Sequence, residues 1–408
     1  MNRRKKTHPV LLVLEALILA AVAFILIYIF VLRGQNHKQR EEQAASRIAS
    51  VVEAAAPAEV AATPEATAEP TPEPTPEPTP EPEPEYLTLS FVGDNTLASS
   101  LQWRTSPYGI HMVIGEDYAY PYSNTVSYFT EDEYTLANLE CTFSDQSLGS
   151  AQQFYFLAPT AYAQILVDGG VDFVTLANNH EMDFYEAGLA DTKATLEEYG
   201  IPYCDDLESN IVTTPNGLTL GIIAGYKTYH PEDYLDQITS MIAELKSQCD
   251  LVICMYHWGQ ELYYSPNENQ TNLAHACIDA GADIVYGSHP HCLQPIEEYN
   301  GKYIMYSLGN WVFGGSTNPT DPDTAIIQIT VKRDIDGTVS LDGINAIPCC
   351  VSSNIEGADA NEASYNDYCP TPYEEGSEDY ERAMSKLTGT FEPTSEGADY
   401  SAWYSTWS

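Results

Sequence analysis

Apolar runs that each end in an acidic, amide or imidazole residue recur along this chain, and they constrain its fold more than any other feature. Leu87, Leu89 and Phe91 alternate with Thr88 and Ser90 and run into Gly93-Asp94. Tyr134 to Leu139 closes on Asn138-Leu139-Glu140, Asp172 to Leu176 on Asn178-Asn179-His180, and Leu251 to Tyr256 on His257-Trp258-Gly259. Asp283 to Tyr286 leads into Gly287-Ser288-His289-Pro290-His291, and Tyr303 to Tyr306 into Ser307-Leu308-Gly309-Asn310. Between these runs, apolar residues fall at helical spacing: Leu235, Ile238, Ile242 and Leu245, then Leu273, Ala274, Cys277 and Ile278 before Gly281. Glu186 to Tyr199 reads as a further helix that stops at Gly200. Strands alternating with helices predict an α/β protein, with Leu218–Ala224 another strand and Ala325–Val331 an antiparallel one. In open α/β sheets ligands bind beyond the carboxyl ends of the strands, so the polar clusters are expected to converge on one site.

The first 85 residues have a different character. Arg3, Arg4, Lys5 and Lys6 precede a run from Pro9 to Leu32 in which Glu15 is the one charge. As a helix that run is about 36 Å long, enough to cross a hydrocarbon core of roughly 30 Å with some tilt. It is too long for a typical signal peptide and lacks a prompt small-residue cleavage site, so an uncleaved anchor over residues 9–32 is expected, with residues 1–8 cytoplasmic. Basic residues flank both ends of the run almost equally, and the charge of the rest decides the orientation. Beyond residue 50 the chain carries 9 basic and 56 acidic side chains. Such a body stays soluble and repels nucleic acid and anionic lipid, which fits a domain outside a cell membrane. Residues 33–85 read as a stalk: Ala/Glu-rich at first, then with Pro at every second position from Pro70 to Pro84. That density favours a semi-rigid polyproline II spacer.

The nine cysteines show no CxxC spacing, which argues against a structural zinc knuckle, and their pairing is left open. Two histidines two residues apart, His289 and His291, follow the apolar run 283–286. If the chain stays extended there, both imidazoles point to one side, as a divalent metal requires. A hydrogen-bonded pair of loop histidines is the alternative.

Six ordered motifs carry a resemblance: Phe91-Val92-Gly93-Asp94, Asn138-Leu139-Glu140, Ala177-Asn178-Asn179-His180 with Asp183, His257-Trp258-Gly259-Gln260-Glu261, Gly287-Ser288-His289-Pro290-His291 and Tyr306-Ser307-Leu308-Gly309-Asn310. Over residues 87–350 the chain resembles the CapA family of capsule-synthesis proteins, associated with poly-gamma-glutamate and similar to calcineurin-like metallophosphoesterases. The resemblance implies a four-layer αββα sandwich over residues 86–350 with a metal centre at the strand ends. It implies Asp94, Glu140, Asn179, His257, His289 and His291 as ligands to one or two divalent ions, manganese, iron or zinc. His180 would be the proton donor, and Asn138 and Asn310 would contact substrate. Two departures stand out. The first motif reads Asp94-Asn95-Thr96 where the metallophosphoesterases have Asp-x-His, and Glu140 stands where they usually have Asp.

Other polar residues have plainer readings. Asp94 and Asp183 are each suited to capping a helix, Gly309 and Asn310 to shaping a turn, Trp258 and Tyr306 to the core, and His275 to a structural role. Residues 351–408 are acidic and poor in aliphatic side chains, and are expected to be largely disordered. Two functions follow. One is a membrane-anchored, metal-dependent hydrolase acting on an anionic capsule polymer or phosphorylated substrate beside the membrane subunits of a polymer synthase. The other is a non-catalytic polymer-binding or assembly subunit. A nuclease is disfavoured by the lack of basic residues.

Overall fold

The computed structural model describes residues 83–101, 103–150, 154–227 and 234–393. The expected anchor, nearly all of the stalk and the residues beyond 393 lie outside them. Among the described residues no helix is long and apolar enough to cross a membrane.

Two sheets face each other, and a short third pairs β3 (Thr142–Phe143) with β4 (Leu157–Ala158). The first runs β16 (Thr371–Pro372), β15 (Val339–Cys350), β14 (Asp323–Arg333), β1 (Glu85–Thr96), β2 (Tyr134–Leu139), β5 (Phe173–Thr175), β6 (Tyr203–Cys204), with β13 (Asn310–Phe313) also on β1. The second runs β11 (Ile296–Tyr299), β12 (Lys302–Met305), β10 (Ile284–Ser288), β9 (Leu251–Trp258), β8 (Thr219–Lys227), β7 (Ser209–Thr213). Strands β1, β2, β5 and β6 are mutually parallel, as are β8, β9, β10 and β12. β14 is antiparallel to both β1 and β15, as its alternation predicts.

The period-two pattern explains the packing. Leu89 and Phe91 of β1, Leu136 of β2, Ile253 and Met255 of β9, and Ile284 and Tyr286 of β10 all enter one core between the sheets. Their neighbours Ala137, Val174 and Ile326 turn to the opposite face and pack with Ile165, Leu166 and Leu196 of helices α1 (Ala163–Asp168) and α2 (Tyr185–Tyr199). Likewise Val252, Cys254 and Val285 pack on Ile238, Ile242, Leu273 and Cys277 of α3 (Leu235–Lys246) and α4 (Glu268–Ala280). A strand buried on both faces reads as a continuous apolar run, which is why β9 is buried at every position. The expected helix stops hold: Gly200 and Gly281 both cap in the left-handed region. The nine cysteines are all free thiols, and eight of them are buried.

The expectation of disorder after residue 350 fails for residues 351–393. That segment contains α5 (Ile355–Asp359), β16 and α6 (Glu378–Leu387), and buries Tyr365, Tyr368 and Tyr373. Aromatic rings replace the missing aliphatics, and charge does the rest. Lys386, 3 % exposed, sits 2.7 Å from both Asp321 and Asp323, while Arg382 donates to Asp323 at 2.7 and 3.0 Å. Composition alone does not show that the two cations of the segment have buried carboxylates waiting in the domain.

Removing one partner of a buried ionic cluster strands the others without compensation. The substitution Lys386→Met is therefore expected to lower unfolding free energy by about 3–5 kcal/mol. Urea denaturation followed by circular dichroism measures this, and an unchanged midpoint would refute the clamp.

Candidate metal centre

Strand register assembles the site. Asp94 of β1 pairs with Asn310 of β13 on one side and Asn138 of β2 on the other. In the facing sheet, His257 of β9 pairs with Ser288 of β10, one residue before His289. The approach of β1 to the 308–309 turn requires glycine: a Cβ at Gly93 would stand 2.1 Å from the Gly309 carbonyl oxygen. The same contact lets the Asp94 amide donate to Gly309 at 2.9 Å.

His289 and His291 converge, but not by strand alternation. β10 ends at Ser288, and both histidines take positive φ, 98° and 53°. Such conformations are costly for residues with a side chain and cluster at functional sites. The Asp94 carboxylate accepts the His289 backbone amide at 3.3 Å, and the Pro290 carbonyl accepts Leu262 N–H at 2.7 Å, so the turn is held from both sides. The two rings end 6.0 Å apart, and His289 and His257 lie 4.6 Å apart.

Three overlapping sets of ligand atoms lie within 4.8 Å of one another: Glu140, His257 and His289; Asp94, Glu140 and His291; and Glu261, His289 and His291. Asp94, Glu140 and His257 are fully buried. Glu140 Oε1 is 3.5 Å from His257 Nε2 and 3.7 Å from His291 Nε2. It is an enclosed oxygen with no hydrogen-bond partner, and His289 Nδ1 is an enclosed nitrogen with none. Orphaned buried acceptors of this kind are costly unless something binds them. Carboxylate oxygen with imidazole nitrogen is a donor set suited to manganese, iron or zinc. The residues present therefore fit a divalent ion.

Protonation agrees. Burial, with the charges of His291 and His180, pushes His289 down to about 3, and burial holds His257 well below its ordinary value. Both are neutral, as ligands must be. Burial opposes charge on His291, but Glu140 and Asp94 override it and lift the imidazolium to about 10. Burial raises Glu140 to about 7, with His291 opposing and Asp94 adding to the shift. Without a metal, protons do part of a cation's work here.

The other expected residues divide. Asn179 Oδ1 lies 2.8 Å from His257 Nε2, at the same convergence point. His257 Nδ1 meets Ser288 Oγ at 2.9 Å, and that hydroxyl is 3.2 Å from the Tyr256 carbonyl, which permits the tautomer with Nε2 unprotonated. His180 turns Nδ1 to Asp183 at 3.0 Å and packs edge-on to Phe156. Burial lowers His180, while the Asp183 hydrogen bond and charge more than reverse this. Asp183 thus orients a histidine and does not cap the helix, whose N-cap is Phe184 without a side-chain bond.

Asn138 and Asn310, expected to contact substrate, bond to candidate ligands in this structure. Asn138 donates to Asp94 at 2.8 Å and accepts from Asn178 at 3.1 Å, and Asn310 grips His291 through both amide atoms. Both are buried, and these bonds hold candidate ligands in place. Glu261 was not singled out as a ligand from the sequence, because it lies in a loop beyond β9 where strand-end logic does not reach.

A two-sheet α/β protein with a carboxylate–imidazole cluster past its strand ends is thereby defined. Residues 88–315, more than half of the chain, match the family described as "Bacterial capsule synthesis protein PGA_cap", and the chain belongs to that family. It is 31% identical over 274 residues to "PGA biosynthesis protein CapA" of Bacillus subtilis (strain 168), covering 61% of this chain and 69% of that one. It is 28% identical over 284 residues to "Capsule biosynthesis protein CapA" of Bacillus anthracis, covering 63% and 66%. Among solved structures, the Haemophilus influenzae NAD nucleotidase aligns with a TM-score of 0.39 at 12% identity over 75% of this chain and 63% of that one.

Because metal must displace protons from His291 and Glu140, uptake is expected to release at least about one proton per ion near pH 7 and to strengthen as pH rises. Titration calorimetry in buffers of different ionisation enthalpy measures this. Proton-neutral binding would contradict the assigned ligands.

Proposed function

We propose that this protein is a CapA-type factor in the synthesis or export of a poly-gamma-glutamate-like capsule polymer, with a divalent metal centre that supports phosphoester-type hydrolysis. The observation that carries this reading is the pair of enclosed, unpartnered ligand atoms, Glu140 Oε1 and His289 Nδ1, inside a ring of carboxylates and imidazoles. Asp94, Glu140, His257, His289 and His291 would hold the ion or ion pair, with Asn179 adjacent and Glu261 at the outer edge. The bound metal would supply Lewis-acid stabilisation of a phosphoryl oxygen and lower the pKa of a water. The chain's own residues do the rest. His180, oriented by Asp183, carries the proton for a leaving group, and Phe156 shields its ring from solvent. Asn138, Asn178 and Asn310 fix the carboxylate and imidazole positions.

One observation favours the non-catalytic alternative. Thr96 stands where the metallophosphoesterase pattern has histidine, and its hydroxyl donates to Glu140 Oε2 at 3.0 Å. Asn95 turns away to accept from Tyr122 at 2.8 Å. A centre with one imidazole fewer could bridge polymer carboxylates without turning substrate over.

Elemental analysis paired with a chromogenic phosphodiester assay in manganese separates the readings. The proposal expects bound divalent metal, and a rate that falls about 10²–10⁴-fold in His180→Asn with metal content unchanged. Metal and divalent-dependent polyglutamate binding without turnover would select the alternative, and a metal-free protein would overturn both.

The anchor reading of residues 9–32 extends the proposal: a single-pass membrane protein with its C-terminal domain outside, lifted on the Pro/Glu stalk. Its support is the apolar run and the acidic domain. Protease added to intact cells is expected to remove the domain, and full protection would refute the orientation.

A further inference from the structure

The loop after β1 gathers buried hydrogen-bond donors that have nothing to bind. Ser99 Oγ, Ser100 Oγ, Trp103 Nε1 and Arg104 Nη2 are all enclosed and all without a hydrogen-bond partner. Indole and guanidinium nitrogens can only donate, and hydroxyls can donate too. Buried polar groups are rarely left so, and four in six residues mark this loop as short of acceptors.

Charge sharpens the inference. The protein carries a net charge of −42, with carboxylates in large excess. Every other described lysine and arginine side chain forms an ion pair, from Lys193 with Asp205 to Lys386 with Asp321. Among the described residues Arg104 forms none. Its guanidinium instead stands over the Tyr155 ring, 5.3 Å from the centroid. In a chain this acidic, a cation that pairs with no described carboxylate is available to an anion from outside.

The location fits a substrate. Ser99 follows Asp94 by five residues, so the loop leaves β1 at the end that carries the candidate ligands. On the other side, Tyr155 adjoins Phe156, whose ring lies 4.6 Å from His180 and whose amide donates to Asp183 at 2.8 Å.

We infer that Ser99, Ser100, Trp103 and Arg104 form an oxyanion-binding subsite beside the metal centre that receives a carboxylate or phosphoryl group of the substrate. Arginine's planar fork suits both groups, and the indole and hydroxyl donors complete the shell. The subsite rests on the proposed function only in assigning the anion to a substrate; its donors are independent of the metal. An Arg104-anchored carboxylate gives an acidic protein a means of gripping an acidic polymer that its overall field repels.

The test measures binding of a γ-linked glutamate pentamer and, separately, of inorganic phosphate by calorimetry, with metal content recorded for each variant. Arg104→Gln is expected to weaken binding about tenfold to a hundredfold while metal content stays at the wild-type level. Arg104→Lys restores only part, because an ammonium cannot make the paired contact. Loss confined to the pentamer identifies a carboxylate subsite, and loss confined to phosphate a phosphoryl subsite. Trp103→Phe keeps an aromatic ring and deletes one donor, and a weakening of several-fold is expected should Arg104→Gln fail to fold. Binding unchanged in both Arg104→Gln and Trp103→Phe overturns the subsite, whereas a metal-free wild type that still binds through Arg104 overturns the proposed function alone.

Discussion

The Asp94 carboxylate is the joint on which the structure turns. It sits at the end of β1 in one sheet, with Oδ1 accepting from Asn138 of the adjacent strand. Its other oxygen accepts the amide of His289, which directly follows β10 of the opposite sheet, and lies 3.4 Å from His291 Nδ1. One buried charge therefore fixes the strand ends of both sheets against each other. Tyr286 reinforces the joint from below by donating to the Val92 carbonyl across the core at 2.8 Å. A buried carboxylate is tolerable only with such partners, and here the partners are also the groups that would surround a cation.

From that joint the rest of the site follows in order. The left-handed turn through His289 and His291 exists because Asp94 and Leu262 grip its backbone. The turn brings two imidazoles against Glu140 and His257, which arrive from strands in different sheets. Strain in the turn and orphaned atoms in the cluster both weigh against the metal-free state, and a bound cation relieves the second directly. Asparagines then do what carboxylates could not do here: they orient ligands without adding negative charge to an already acidic pocket.

Much of this was legible in the sequence, and the exceptions have physical causes. Strand-end polar residues at 94, 140, 257, 289 and 291 were readable because period-two burial fixes which end of a strand faces the crevice. The route by which His289 and His291 converge was not, since positive φ at a residue with a side chain leaves no mark in composition. The bonds that Asn138 and Asn310 make to Asp94 and His291 were not legible, because an amide at a strand end reads the same whether it faces solvent or a neighbouring ligand. Glu261 and Arg104 lie in loops, where no periodicity applies. The folded segment 351–393 escaped notice because it rests on Arg382 and Lys386 meeting Asp321 and Asp323, a match that distance along the chain conceals.

The most direct measurement is anomalous diffraction from crystals soaked in manganese. The account predicts a peak about 2.0–2.3 Å from Glu140 Oε1 and from a nitrogen of His257 or His289, inside the carboxylate–imidazole cluster. A well-diffracting crystal with no peak there, or with manganese bound only elsewhere, would contradict it.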